Sequence, residues 1–501
     1  MKRKISLIIV CVLVFTFILS ACTVAGTKSG TTSSDTDTTL QDTKPAEKIK
    51  ITTAQFLEQS TEDYSINENP YVDFVEEKFN IDLTIIRTSS GQYGEKLNAL
   101  LAAGDIPDLF ISNKTFIAKY AEDGIAMNID SLKPLAVNLN KNVNEEAWQA
   151  AMYNGKLYAI PNQRYDPFPY LSFVNKNFVE TLNIDVNNIK TIDDYYDMFV
   201  KFRDNFENSI PVTAFINWPL MPLIDAFDAF SYKVIDGELL PNYLQPQYKE
   251  WLKFMQKMYK EKLIDQEFIT QQSEQTWSKI NSGKVGFYSW FWHQDVMVNQ
   301  GGSRDDWLPI KPALKADGIE SKLIYHSPAR QFFFIGSKSK NPEKVIEMLD
   351  WAASEEGQLF IQAGLEGWDY DVKNGEIVMR EGRKGQNMSW RFVTIGMDPP
   401  KLTSEKVLGV FAEIYGESGV RNYQAAYEFG GYDPILLNIP SFPDLDKYDF
   451  NKMRTEFDFN AIIGNIGIDA QWDSHITTFR KNGGDLLIDS LTKWYNNDYK
   501  K

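Results

Sequence analysis

The sequence predicts an α/β fold built on a mainly parallel sheet covered by helices. Two observations carry that expectation. Short β-rich segments alternate with amphipathic helical ones from Lys50 onward. Cap and turn residues stand where the segments end. The length of 501 residues adds that two or three domains fit.

Lys50-Ile51-Thr52-Thr53-Ala54 reads as the first strand. Asn69-Pro70 opens a helix, with Asn as cap and Pro at the first helical position. Ile81 to Arg87 is β-rich, with Leu83 and Ile85 at period two. Tyr93 to Ala103 is helical and ends at Gly104. Asp108 to Ile111 is a short buried strand, and a further helix runs toward Gly124. Together these make a βαβαβ start. Gly155 to Pro161 reads as a turn, a strand and a stop, and Tyr170 to Asn175 as a strand leading into a helix near Asn177. Ile192 to Arg203 and Pro246 to Glu261 are amphipathic helices. A helix over Thr276 to Ser282 closes at Gly283, and Val285 to Trp290 is then a strand. Arg330 to Ile335 is another strand, and Asn341-Pro342 caps a helix that runs to Ser354. The tail, Asp469 to Asp498, reads as two helices split at Gly483-Gly484. No internal repeat points to a solenoid.

Both cysteines fall within the first 22 positions. Lys2, Arg3 and Lys4 precede an apolar run from Ile5 to Leu19, broken by Ser6 and Thr16. The run is short of the roughly 20 residues that span a bilayer. Residues 1–21 therefore read as a secretory signal rather than a plain membrane helix. Leu19-Ser20-Ala21-Cys22 resembles the lipobox of bacterial lipoproteins. That resemblance implies cleavage before Cys22 and acylation (palmitate or a similar chain) of that residue. Two acyl chains suffice for stable attachment. Cys11 then leaves with the signal, so the mature chain has no disulfide and holds its fold by core alone. Residues 22–48, rich in Thr, Ser, Gly and Asp, read as a flexible tether with a reach of roughly 25–30 Å.

The formal net charge of −16 argues against nucleic acid, which needs basic surface. It favours solubility. The 12 Trp and 24 Tyr are the aromatics of interest, because each joins an apolar face to a polar handle. GxGxxG, Walker, HExxH, CxxC and GxSxG motifs are absent. His293, His326 and His475 are scattered, which speaks against a zinc site or a Ser-His-Asp triad. With 68 acidic residues, no chosen carboxylate pair is informative. Neither an enzyme nor a cofactor is expected.

Several segments together resemble the family 1 extracellular solute-binding lipoproteins of carbohydrate ABC importers, in their large Gram-positive subgroup. They are Ala99 to Asp108, Gly155 to Pro161, Val174-Asn175-Lys176, Gly283 to Phe287, Lys340 to Lys344, Glu356-Gly357-Gln358 and Gly364 to Gly367. The resemblance implies a two-lobed periplasmic-binding-protein fold, type II-like, with a cleft between lobes and several hinge crossings. Residues 49–163 plus 330–365 would form one lobe, and 164–329 plus 366–501 the other. The crossings would fall at Ile160 to Tyr165, Ser327 to Gln331 and Ala363 to Trp368. Many large relatives carry a calcium loop after the helix that ends near Arg203. Here Arg203 to Pro211 has carboxylates but neither regular ligand spacing nor glycine, so no calcium is expected.

Sugars offer C–H faces to aromatic rings and hydroxyl rims to amides, carboxylates and Arg. On a strand Tyr288, Trp290 and Trp292 share one face by period two, although the run could also turn into a helix at Trp292; they are candidates for stacking, with core packing the bland alternative. Trp368, Trp218 and Trp390-Arg391 are further candidates. Gln163, Arg164 and Tyr165 follow the first crossing and either bind hydroxyls or fix the hinge. Trp251, Trp277 and Trp351 fit helix faces and read as core. Arg164, Arg330 and Arg391 would suit a uronate if they converge. The resemblance thus implies a monomeric receptor, lipid-anchored at Cys22 on the outer face of the membrane. It would capture an oligosaccharide and pass it to an ABC permease. The alternatives are a receptor for another solute, such as a peptide, and a surface glycan hydrolase.

Overall fold

Two β-sheets organise the chain. Along the sequence their strands are β1 (Ile49–Phe56), β2 (Ile81–Thr88), β3 (Leu109–Ser112), β4 (Ile160–Asn162), β5 (Tyr170–Asn175), β6 (Ile210–Val212), β7 (Val285–Phe291), β8 (Trp307–Ile310) and β9 (Gln331–Ile335). The first sheet has the order β2-β1-β3-β9-β4. β1 pairs in parallel with β2 on one side and β3 on the other. β9 runs antiparallel to both β3 and β4. The second sheet has the order β8-β5-β7-β6 and is antiparallel except for the β7–β6 pair. The computed structural model describes residues 47–501 apart from 57–64, 89, 164–169, 215–220, 326–328, 330, 384–403, 441, 446 and 501. The signal and nearly all of the tether lie outside the described residues. Among the described residues no helix is long and apolar enough to cross a membrane.

Local chemistry sets the first crossover. The Asn69 side chain accepts from the main-chain N–H groups of Tyr71 and Val72, opening helix α1 (Pro70–Phe79). Asn80 ends it at φ 51°, in the left-handed region. Tyr71, Val72, Val75 and Phe79 form its buried face. Helix α2 (Ser90–Ala103) begins three residues before the expected Tyr93 and ends, as expected, at Gly104.

Two local expectations need correcting. Gly155 to Pro161 is not one strand with a stop. Met152–Tyr153 and Lys156–Leu157 form a hairpin around Asn154-Gly155, both at positive φ. Pro161 lies inside β4, where it is tolerated because β4 is the edge strand. Asn341 precedes the helix Pro342–Ala352 but makes no side-chain cap bond.

Each sheet has its own core. One cluster draws on Ile51 to Ile160 and again on Ala329 to Ile361. Two others flank the second sheet, built on Phe199, Phe202 and Phe287 in one and on Trp277, Tyr288 and Trp292 in the other. Helix α3 (Glu355–Ala363) serves both bodies. It sends Phe360 and Ile361 to the first core, and Leu359 and Ala363 to the core around Trp292. The long helix α4 (Glu405–Phe429), kinked at Gly416 where φ is 72°, covers that core from outside. The tail forms helices Ile468–Phe479 and Asp485–Trp494, joined by a wide turn over Arg480–Gly484.

A buried acid lies under the tail. The Tyr248 hydroxyl donates to Asp458 Oδ2 at 2.6 Å, and Arg454 Nε stands 3.9 Å from the same oxygen. Burial pushes the Asp458 carboxyl up to about 7. An unfolded Asp titrates near 3.9, so the folded state binds the extra proton between about pH 4 and pH 7. That contribution is present below pH 4 and is lost as pH rises through 7. Asp458→Asn should flatten this loss, by on the order of a few kcal/mol. Urea midpoints of both proteins at pH 4.5 and pH 7.5 check it.

Candidate ligand-binding site

Strand order reverses between β1 and β3, because the chain leaves β1 toward β2 and returns on its other side. In open α/β sheets such a reversal leaves a crevice outside the carboxyl ends of the strands, where ligands bind. Tyr93 of α2 fills the root of this crevice. Its hydroxyl accepts from Ile111 N at 3.1 Å and lies 3.0 Å from Ala54 O and 2.8 Å from Ile111 O. A side chain thus replaces the main-chain ladder where β1 and β3 part.

The same edge gathers polar side chains. Thr53 and Gln55 end β1, Ser112 ends β3, Asn162 ends β4 and Gln331 begins β9. Thr53, Gln55 and Asn162 are buried. Lys114 follows β3, and its ammonium donates to the main-chain oxygen of Leu437 in the helix Pro434–Asn438. Burial lowers this amine to about 8. Gln163 is buried, and its Oε1 accepts from Asn144 N at 2.8 Å. One of its polar atoms therefore braces the end of β4.

The aromatic run after β7 is arranged differently from expectation. Tyr288 and Trp292 are both 0% exposed and belong to the core. Trp292 is walled in by Phe411, Tyr415 and Tyr423 of α4. The Tyr288 hydroxyl accepts from Gln294 Nε2. Neither ring has a free face for a ligand in this structure: α4 covers Trp292, and Phe173, Trp277 and Trp307 pack around Tyr288. β7 ends at Phe291, so Trp292 is not on the strand at all. Trp290 is half-buried against Trp277, with ring centroids 5.2 Å apart. Tyr170 and Phe291 pack beside it at the open end of the second sheet, 4.7 Å apart.

Trp368 is the candidate with an open ring, 42% exposed. The turn that carries it is rigid. Asp369 is fully buried, and its carboxylate accepts from Leu365 N at 2.9 Å and from the Tyr71 hydroxyl at 3.0 Å. Gly364, at φ 94°, makes room, since a Cβ there would stand 2.1 Å from Asp369 Oδ2. The Arg383 guanidinium lies over the Trp368 ring, 5.3 Å from its centroid. Arg164, Tyr165, Trp218, Arg330, Trp390 and Arg391 lie outside the described residues.

The stretch after the helix Ile192–Asn205 does not fit a calcium ion. Asp204 is paired with Arg203 at 2.7 Å, and Asn208 takes the left-handed turn position at φ 57°. No group of three metal-ligating side chains converges among the described residues.

Sequence reasoning missed Tyr93, Gln55, Lys114 and Gln331 as site residues. One signal was available: Ile51, Thr53 and Gln55 share a strand face that turns polar toward its carboxyl end.

An α/β chain with two sheets, a switch-point crevice and a displayed indole is of the solute-binding class. Residues 54–359 match the bacterial extracellular solute-binding protein family, and this chain belongs to it. The chain is 22% identical to Lipoprotein LipO of Bacillus subtilis, over 93% of this chain and 95% of that protein. It is 23% identical to the polygalacturonan/rhamnogalacturonan-binding protein YtcQ of the same organism, over 89% and 91%. The crystal structure of the N-glycan transport solute binding protein NgtS from Streptococcus pneumoniae has the same fold. Its TM-score is 0.65 at 16% identity, covering 91% of this chain and all of that one.

The two tryptophan environments separate by mutation. Trp292→Ala should cost about 3–5 kcal/mol of stability, as expected for a core aromatic. Trp368→Ala should stay within about 0.5 kcal/mol of the parent, as expected for a surface side chain. Denaturant unfolding of the two variants checks both.

Proposed function

We propose that this protein captures an oligosaccharide between two lobes and delivers it to an ABC permease. The exposed Trp368 ring carries the reading. It is an apolar plane held on a rigid turn between the two cores, suited to the C–H face of a sugar ring. The amide-lined edge of the first sheet supplies groups for hydroxyls. Relatives whose names specify polygalacturonan, N-glycans or fructooligosaccharides support a carbohydrate ligand.

In this reading residues 49–163 plus 330–365 form one lobe and 164–329 plus 366–501 the other. Ligand binding draws them together, and the permease reads that closure. Trp290, Trp218, Trp390, Arg391, Gln163, Arg164 and Tyr165 remain proposed contributors. Cys22 carries the lipid, and the tether holds a monomeric receptor at the outer face of the membrane. Tethering raises its local concentration near the permease. The receptor performs no catalysis on its ligand.

A thermal-shift screen of the globular chain tests this. The probes are kestose, trigalacturonate and trialanine. A ligand at 100 times its Kd stabilises by roughly 2.7 kcal/mol. At least one sugar should raise the melting temperature while trialanine leaves it unchanged. A shift with trialanine alone, or release of reducing sugar from either oligosaccharide, would contradict the proposal.

A further inference from the structure

Three polar atoms at the edge of the first sheet have no hydrogen-bond partner: Thr53 Oγ1, Gln55 Nε2 and Gln331 Oε1. Gln55 and Thr53 are each 1% exposed. An unmatched buried donor or acceptor costs about 1–3 kcal/mol, and native proteins hold few of them. Three on one sheet edge need a reason.

Register puts them on one face. Thr53 is opposite Leu109, and Leu109 is opposite Ile335. Gln55 lies two residues beyond Thr53, and Gln331 lies four residues beyond Ile335 in the same direction. Both steps are even, so the side chains project to the same side. Asn162, opposite Gln331, joins them. All lie toward the end of the sheet at which strand order reverses. β3 alone separates β1 from β9, so the two glutamines stand on strands about 10 Å apart. That is close to the span of two linked sugar rings.

We infer that Gln55 and Gln331 are specificity-determining residues that bind hydroxyl groups of neutral sugar rings. The inference rests on the oligosaccharide reading above. A primary amide carries a donor and an acceptor, and a hydroxyl does the same, so each pair satisfies both partners. A carboxylate only accepts, so it would meet the Gln55 Nε2 donor but leave the Gln331 Oε1 acceptor unmatched. Gln55 is buried and Gln331 half-buried in this conformation, so the sugar reaches the Gln55 amide when the bodies on either side of the edge part. The unmatched atoms are then the cost of keeping the subsite ready, offset when ligand enters.

Gln55→Met and Gln331→Met test this, because methionine keeps the shape and removes the polar atoms. Stability without ligand and affinity for kestose and trigalacturonate are measured on each variant and on the parent. Without ligand, both variants should be as stable as the parent or more so. Affinity for kestose, the neutral sugar, should fall about 10-fold in each, and a parent that bound trigalacturonate but not kestose would overturn the neutral-ring assignment. A variant that unfolds more easily without ligand would mark its amide as structural and overturn the inference. Unchanged affinity in both variants, with the parent binding sugar, would overturn it while leaving the receptor reading intact. If the parent bound neither sugar, the receptor reading and this inference would fall together.

Discussion

The reversal of strand order between β1 and β3 is the constraint on which the rest of the structure depends. Parallel strands need crossovers; the chain leaves β1 toward β2 and leaves β3 toward β4 at the opposite edge, so the two connections diverge at the carboxyl ends of β1 and β3. A crevice results from topology alone. Tyr93 fixes its depth, because its hydroxyl takes up main-chain groups of Ala54 and Ile111 that a continued ladder would have paired. Thr53, Gln55 and Asn162 lie buried at this edge.

The two cores are coupled at a few defined points. Helix α3 belongs to both, and the Asp369 carboxylate joins the Tyr71 hydroxyl of the first body to the turn that carries Trp368. The Lys114 ammonium reaches the main-chain oxygen of Leu437. The second and third of these links are polar. Such links can break and reform at modest cost, whereas a continuous core would lock the bodies together. Trp368 stands exposed on the turn beside one of these links.

Much of this was legible in the sequence, and the limits have physical causes. β1, α1, β2, β3, β5, β7 and β9 follow from period, caps and breakers, since those signals are local. The family motifs gave the architecture. The aromatic run Tyr288 to Trp292 misled because strand periodicity says which residues share a face and not what covers that face. α4, distant in sequence and kinked at Gly416, covers it. Trp368, singled out for its place after Gly367, lies exposed on that turn. Gln55 and Gln331 were missed because each is an ordinary residue within its own segment. They become a pair only through register across β3 and β9, which are more than 200 residues apart in the chain.

The central claim is that ligand binds at the carboxyl edge of the first sheet. Hydrogen–deuterium exchange with and without saturating kestose or trigalacturonate tests it most directly. The account predicts slower exchange in peptides spanning 52–56, 109–114 and 331–335. Protection confined to the C-terminal helices over 450–494, with sugar bound, would contradict it.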